Sequence, residues 1–363
     1  MTEQLPSPQP LINLADYERA AHDQMSDSHY GYYAVGAADD ISLKDNRNVF
    51  AGMRLRPRVL VGVETRDMQT QILGQTQSMP VLIAPTAMAG LASPAVKEIG
   101  IVQAARNAGI TMILSTLSTT SLETVAAEGA SLWFQLYIYK DRSITQRLVE
   151  RAEAAGYQAL VLTVDAIVSG LREQSVRDRF QLPEGLLLEN FVEFQRDNTR
   201  AEATFFDYVR AQFNSALNWN DLEWLISITK LPVLIKGILR GDDARRALDY
   251  GAKGLILSNH GGRQLDTAIT GIDALPDVLE SVGGSCTILV DGGIRRGTDV
   301  LKALALGADA VLLGRPVLWG LAVDGQAGVE QVLSILRNEF DNALALCGCR
   351  HIADITRDLV VRT

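Results

Sequence analysis

The tightest constraint on this chain is a rhythm of eight short, continuous apolar runs that begins near Met79. They are PVLIAP (80–85), TMILST (111–116), LWFQLY (132–137), ALVLTVD (159–165), LPVLIKG (231–237), GLILSNHGG (254–262), TILVDGG (287–293) and AVLLGRP (310–316). None alternates apolar with polar residues, so each reads as a strand buried on both faces of a parallel sheet. Between most of them lie stretches of helical character, such as SITQRLVERAEAAG (143–156) and DDARRALDYGA (242–252), the latter with a Gly suited to a helix C-terminus. Strand–helix alternation repeated eight times predicts an α/β fold, a single (β/α)8 TIM barrel. A doubly wound sheet alternates in the same way but needs a Gly-rich phosphate loop after an early strand, and no G-x-G-x-x-G occurs. The glycine pairs here follow the sixth and seventh runs, and a G-R-P the eighth, where barrels commonly hold phosphate.

The 363 residues fit either two ordinary domains or one large barrel with insertions. The rhythm favours one domain over 1–363, with an N-terminal extension (1–78) that reads as helical from Asn13 to Gly36. Between Asp165 and Leu231 the connection is far longer than one helix requires, and its insertion (166–230) carries the charged stretch ENFVEFQRDNTRAEATFFDY (189–208). Long βα insertions often act as lids, the alternative being a loop of no consequence.

A net charge of −9 without a basic run argues against nucleic acid as a partner. Three cysteines, Cys286, Cys347 and Cys349, form no disulfide framework and point to a reducing compartment. Cys347-Gly348-Cys349 has no second Cys/His pair at ligand spacing, which favours ordinary free thiols over half a metal site. The start MTEQLPSPQP lacks the basic and apolar regions of a signal peptide, no stretch approaches the ~18 apolar residues of a membrane span, and VVRT is not a peroxisomal address. The expected compartment is the cytoplasm, with no membrane partner.

Active sites of barrels are assembled at the C-terminal ends of the strands. There the runs end in Thr86, Ser115, Gln135 with Tyr137, Thr163 with Asp165, Lys236, Ser258 with His260 and Arg263, Asp291 with Arg295, and Arg315. Of four histidines only His260 lies at a strand end. A lone histidine is more often a surface or hydrogen-bonded core residue, but its place in S-N-H-G-G-R-Q directly after a buried strand makes it the natural general base. Arg263 offers a planar fork for a carboxylate. Arg172, after the fourth run, reads equally as a second clamp or a paired surface arginine. Lys236 is either a structural partner of a carboxylate or, beside a flavin, a stabiliser of negative charge on the reduced ring. Asp291-Gly292-Gly293-Ile294-Arg295 and Gly314-Arg315 supply N–H groups and guanidinium charge for a phosphate.

The stretch SNHGGRQLD (258–266) resembles the signature of the FMN-dependent 2-hydroxy-acid oxidase family, which includes glycolate and lactate oxidases. The likeness extends through YYAVGA (32–37), LRPRVL (55–60), LIAPTAM (82–88), WFQLYIYKDR (133–142), LTVDA (162–166), VDGGIRRGTDVLKALALGA (290–308) and LGRPVLWGLA (313–322). With STLSTTSLE (115–123), the pattern looks closest to the cyanobacterial lactate oxidases. The resemblance implies FMN lying across Pro85, Thr86 and Ala87, with Ser115, Gln135, Thr163, Lys236 and Ser258 around the ring. Asp291, Gly293, Arg295, Gly314 and Arg315 would hold its phosphate end. Arg172 and Arg263, helped by Tyr32, would bind the substrate carboxylate. Tyr137 would hydrogen-bond the hydroxyl oxygen, and His260 would remove a proton with support from Asp165.

The implied reaction oxidises a short (S)-2-hydroxy acid to the 2-oxo acid while O2 becomes hydrogen peroxide. Glycolate oxidases carry Trp where this chain has Leu117, and a smaller residue there favours lactate. A homotetramer is implied by the relatives. Departures from the family pattern are Ile167 for a proline, Leu171 for a polar or basic residue, Ala95 and Lys97 within SPAVKE (93–98), and Arg177-Asp178. Loss of the proline frees the backbone just before Arg172. The competing readings are a dehydrogenase that uses another electron acceptor and a flavin-binding barrel without turnover.

Overall fold

In this computed structural model, residues 10–178, 180–195 and 212–362 are described. Short strands β1 (Met53–Leu55), β2 (Thr70–Ile72) and β3 (Gln75–Gln77) come first. The barrel strands are β4 (Val81–Ile83), β5 (Met112–Ser115), β6 (Leu132–Leu136), β7 (Leu160–Thr163), β8 (Val233–Ile238), β9 (Gly254–Leu257), β10 (Thr287–Asp291) and β11 (Ala310–Leu313). Each of the eight apolar runs coincides with one of them, β8 reaching one residue past its run to Ile238. All eight are parallel neighbours in chain order, and Val311 opposite Val81 closes β11 onto β4. The fold is the expected (β/α)8 barrel.

Near-continuous apolar runs are needed because the strands bury both faces. One face fills the barrel interior with Leu82, Ile113, Trp133, Val161, Leu234, Ile256, Leu289 and Leu312, and the other packs on the helices. The β2–β3 hairpin belongs to this interior, since Ile72 joins the same cluster and Trp133 Nε1 donates to Gln75 Oε1 at 3.3 Å. Helix Gly241–Asp249 is followed by Tyr250 and by Gly251 at φ +99°, a backbone that suits Gly.

The N-terminal extension departs from a single helix. It forms α1 (Leu14–Gln24) and α2 (Asp27–Ala34), separated at Met25 and Ser26. Both residues take extended backbone, and Ser26 Oγ caps the second helix by accepting from His29 N. Helix α3 (Ile41–Ala51) then lies against the loop after β9. Its residue Asn46 exchanges paired amide hydrogen bonds with Asn259, at 2.8 and 3.0 Å. A last strand, β12 (Val360–Arg362), pairs antiparallel with β1.

The connection from β7 to β8 holds the short helices Glu173–Arg177 and Val192–Gln195 and the longer helix Trp219–Ser227. Part of the charged stretch read from the sequence, 196–208, lies outside the described residues.

Candidate active site

Strand ends and the loops that follow them surround a cleft. Pro85, Thr86, Ala87, Ser115, Gln135, Tyr137, Thr163 and Lys236 line it from the first five strands. His260, Arg263, Asp291, Gly292, Gly293, Arg295, Gly314 and Arg315 line it from the last three. Tyr32, Leu117 and Arg172 reach it from the N-terminal extension and from loops after β5 and β7. Asp165 and Ser258 stand one layer behind and act on residues that do line it.

The loop after β9 is built for one conformation. His260, Gly261 and Gly262 take φ of +59°, +64° and +76°, three consecutive left-handed residues. Gly262 has no alternative, since a Cβ there would stand 2.5 Å from Leu43 N, and its carbonyl accepts from Ala37 N at 2.8 Å. A non-glycine residue in this region is held only where its surroundings over-determine it. Here His260 N donates to Ser258 Oγ at 2.9 Å, and its Nδ1 lies 2.8 Å from Asp165 Oδ1. That contact directs Nε2 away from Asp165. Burial pushes the imidazole pKa below its ordinary value; Lys236 and Arg172 add to this, and Asp165 opposes it. For Asp165, burial acts upward, but His260 and Lys236 outweigh it and leave the carboxyl below its usual range. A neutral imidazole backed by an ionised carboxylate is poised to accept a proton.

Lys236, near the C-terminal end of β8, places Nζ 2.9 Å from Ser258 Oγ and 3.4 Å from Asp291 Oδ2. Burial acts against its charge, but Asp291 and Asp165 overcome that, and its pKa stands above the ordinary value. Opposite it runs a polar row: Gln135 donates from Nε2 to Thr163 Oγ1 at 3.0 Å and accepts at Oε1 from Ser115 Oγ at 3.3 Å.

Four arginines converge on the cleft. Burial, followed by the charges of Arg263 and Arg295, pushes Arg315 down to about 9. Burial, followed by Arg172, pushes Arg263 down to about 10. Arg315 donates to the carbonyls of Tyr33, Gly261 and Val35, and Arg263 to those of Tyr33 and Val35. Among the described residues Arg295 Nε, Arg172 Nε and Asp291 Oδ1 are buried without hydrogen-bond partners. Clustered buried guanidinium groups, with unused donors at Arg295 and Arg172, make two anion sites. Arg295 and Arg315 form one beside Gly292 and Gly293, where the helical stretch Arg315–Cys347 begins. Arg172 and Arg263 form the other beside His260. A phosphate at the first, a planar ring along the polar row and a carboxylate at the second fit these donors.

This donor set suits FMN, and comparison with known proteins agrees. The model of the FMN-dependent dehydrogenase family matches residues 21–362. The chain belongs to that family. L-lactate oxidase of Nostoc sp. is 53% identical over 352 residues, covering 95% of this chain and 96% of that protein. Glycolate oxidase 3 of Arabidopsis thaliana is 46% identical over 350 residues, covering 96% and 95%. A crystal structure of mandelate oxidase with benzoyl-formic acid superposes with a TM-score of 0.88 at 41% identity, covering 96% of this chain and 98% of that one. FMN is therefore the cofactor of this family member.

Two contributors to the cleft were not singled out by their sequence. Phe213, at the far end of the insertion, stacks on Tyr137 with ring centroids 4.6 Å apart, and Lys140 N donates to Gln212 O at 2.8 Å. Nothing in its local sequence marks it. Gln264, next to Arg263, also lines the cleft; its place inside the S-N-H-G-G-R-Q run was the available signal. Among the described residues no cluster of three or more His, Cys, Asp or Glu side chains could hold a metal, and no helix is long and apolar enough to cross a membrane.

Proposed function

We propose that this family member oxidises short (S)-2-hydroxy acids, (S)-lactate best, to 2-oxo acids and passes the electrons to O2. The observation that carries the reading is the His260–Asp165 pair, 2.8 Å apart, set beside the Arg172 and Arg263 guanidinium groups. Those two cations bind the carboxylate and fix which face of the substrate meets the base. Tyr137 hydrogen-bonds the hydroxyl oxygen, its phenol kept protonated because burial and then the Asp165 charge push its pKa upward. His260 Nε2 takes a proton, and Asp165 stabilises the imidazolium that results. Lys236, with Gln135, Ser115 and Thr163, presents donors to the ring and offsets negative charge. Bound FMN supplies a two-electron acceptor. The acid thereby loses two electrons and two protons, and O2 gains both to give hydrogen peroxide.

Lactate ranks above glycolate because Leu117, which lines the cleft, leaves room for a methyl group, and because of the likeness to the Nostoc L-lactate oxidase. The part of the insertion around Phe213 serves as a lid over the cleft, the stacking of Phe213 on Tyr137 supporting this. A homotetramer completes the reading by family likeness, the free thiols Cys286, Cys347 and Cys349 favour the cytoplasm, and sedimentation of the holoenzyme tests the assembly. The deciding experiment mixes holoenzyme anaerobically with (S)-lactate or glycolate, follows the flavin absorbance, then admits air. Faster bleaching by lactate, followed by recovery and peroxide, is expected. No bleaching by any 2-hydroxy acid would remove the catalytic reading, and bleaching without recovery in air would make the protein a dehydrogenase with another acceptor.

A further inference from the structure

The segment 165–171, which runs from the carboxylate behind His260 to the arginine clamp, has little to hold it in place. It contains no proline and no regular structure, and Ile167, Val168 and Leu171 are 40%, 62% and 73% exposed. Only Ala166 within it is buried. Apolar packing therefore does not fix this stretch, and hydrogen bonds must.

One carboxamide supplies most of them. Gln264 Nε2 donates to Asp165 O at 2.9 Å and to Val168 O at 2.8 Å. Its Oε1 accepts from Gly170 N at 3.2 Å and stands 3.5 Å from Arg172 Nη2. Ala38 N adds a bond to Leu171 O at 2.8 Å, and Asp165 Oδ1 meets His260 Nδ1 at 2.8 Å. The two loops also touch backbone to backbone, since a Cβ on Gly170 would lie 2.2 Å from Arg263 O and 2.7 Å from Gln264 O. Gln264 follows Arg263 directly and lies four residues after His260. The loop bearing the base thus grips, through one side chain, the loop bearing the base's carboxylate and the second arginine.

We propose that Gln264 is a positioning residue that sets the spacing of Arg172 from Arg263 and the alignment of Asp165 on His260. The inference rests on the roles assigned above to those four residues. A carboxamide suits this role, because its two donors meet two carbonyls of the opposite loop and its acceptor meets an N–H and a guanidinium of that loop. Substrate binding and proton removal are then coupled through one carboxamide that bridges the two loops.

The test compares wild-type holoenzyme with Gln264→Leu and Gln264→Glu, the second keeping the acceptor and losing both donors. Three quantities are measured: amide exchange of the peptide spanning 166–172, the affinity for oxamate (a non-reacting carboxylate) read from flavin absorbance, and KM and kcat for (S)-lactate. Both variants are expected to retain flavin and to exchange faster in that peptide. They should bind oxamate more weakly and lose about 10- to 100-fold in kcat/KM, since misplacement by about 1 Å costs that much. Most of the loss should lie in KM, because the clamp acts on the ground-state carboxylate. Gln264→Glu should fall between wild type and Gln264→Leu in exchange. A flavin-loaded variant with unchanged exchange, or with fast exchange but unchanged oxamate affinity and KM, overturns the proposal. Exchange needs no turnover, so it reports on Gln264 even if no 2-hydroxy acid reduces the wild-type enzyme, the outcome that would sink the proposed function instead.

Discussion

The two anion sites of the cleft are built by opposite means. At the phosphate end everything is packed. A Cβ on Gly293 would lie 1.7 Å from Asn46 O, Asp291 ends a buried strand, and Arg315 opens a helical stretch. At the carboxylate end Arg172 sits on a loop between a strand and a five-residue helix, tied by side-chain and backbone hydrogen bonds, while Phe180 stacks on Tyr32 and Phe213 on Tyr137. Dense packing permits one arrangement, whereas a hydrogen-bonded loop has accessible alternatives. The cofactor end is therefore a fixture of the barrel core, and the substrate end is adjustable. A permanently held cofactor and a substrate that must enter and leave call for that division.

Substitutions can break each end separately. The largest effect is expected for His260→Gln, which keeps the loop but removes the base: kcat should fall by about 10^2- to 10^4-fold with flavin still bound, as stopped-flow reduction by (S)-lactate would show. Next is Gly293→Ala. With φ at +82° and backbone in the way, this chain should purify with little flavin and a lowered melting temperature, both measurable by absorbance. If it keeps its flavin, the phosphate end is not the rigid one.

Leu117→Trp should act at the substrate end alone, moving the ratio of kcat/KM for lactate over glycolate down by about 10-fold while flavin content stays constant. The smallest effect concerns pH. Burial first, then Lys236 and Arg172, disfavour the imidazolium of His260, so the neutral base persists to lower pH than for free histidine. The acid limb of kcat/KM should rise with pH through a midpoint below the ordinary 6.5, and Asp165→Asn should move it further toward acid, because the opposing charge is lost. A midpoint above 6.5 would mean that the carboxylate outweighs burial.

The same contrast explains what the sequence made readable. Eight apolar runs marked a parallel sheet covered on both faces, and the absence of a G-x-G-x-x-G with glycine pairs after the late runs separated the barrel from a doubly wound sheet. Residues at their ends, from Thr86 to Arg315, could be assigned to the cleft because a barrel delivers every strand end to one face. The break at Met25–Ser26 was harder to see, since a serine cap inside an Ala- and Tyr-rich stretch is a weak local signal. Phe213 was invisible, because its place depends on a bridge to Tyr139 across a long insertion. Nor could spacing decide whether Arg172 faced solvent or substrate; that follows from how 165–171 lies on Gln264.

The amide pair between Asn46 and Asn259 joins residues 213 positions apart, and Gly293 closes on that same asparagine. Because of this, the flavin cradle is a product of the finished chain. Its members are made from Tyr33, near the start, to Arg315, in the last seventh, and no shorter nascent chain contains a binding site. Cofactor capture is therefore expected to follow synthesis of nearly the whole chain.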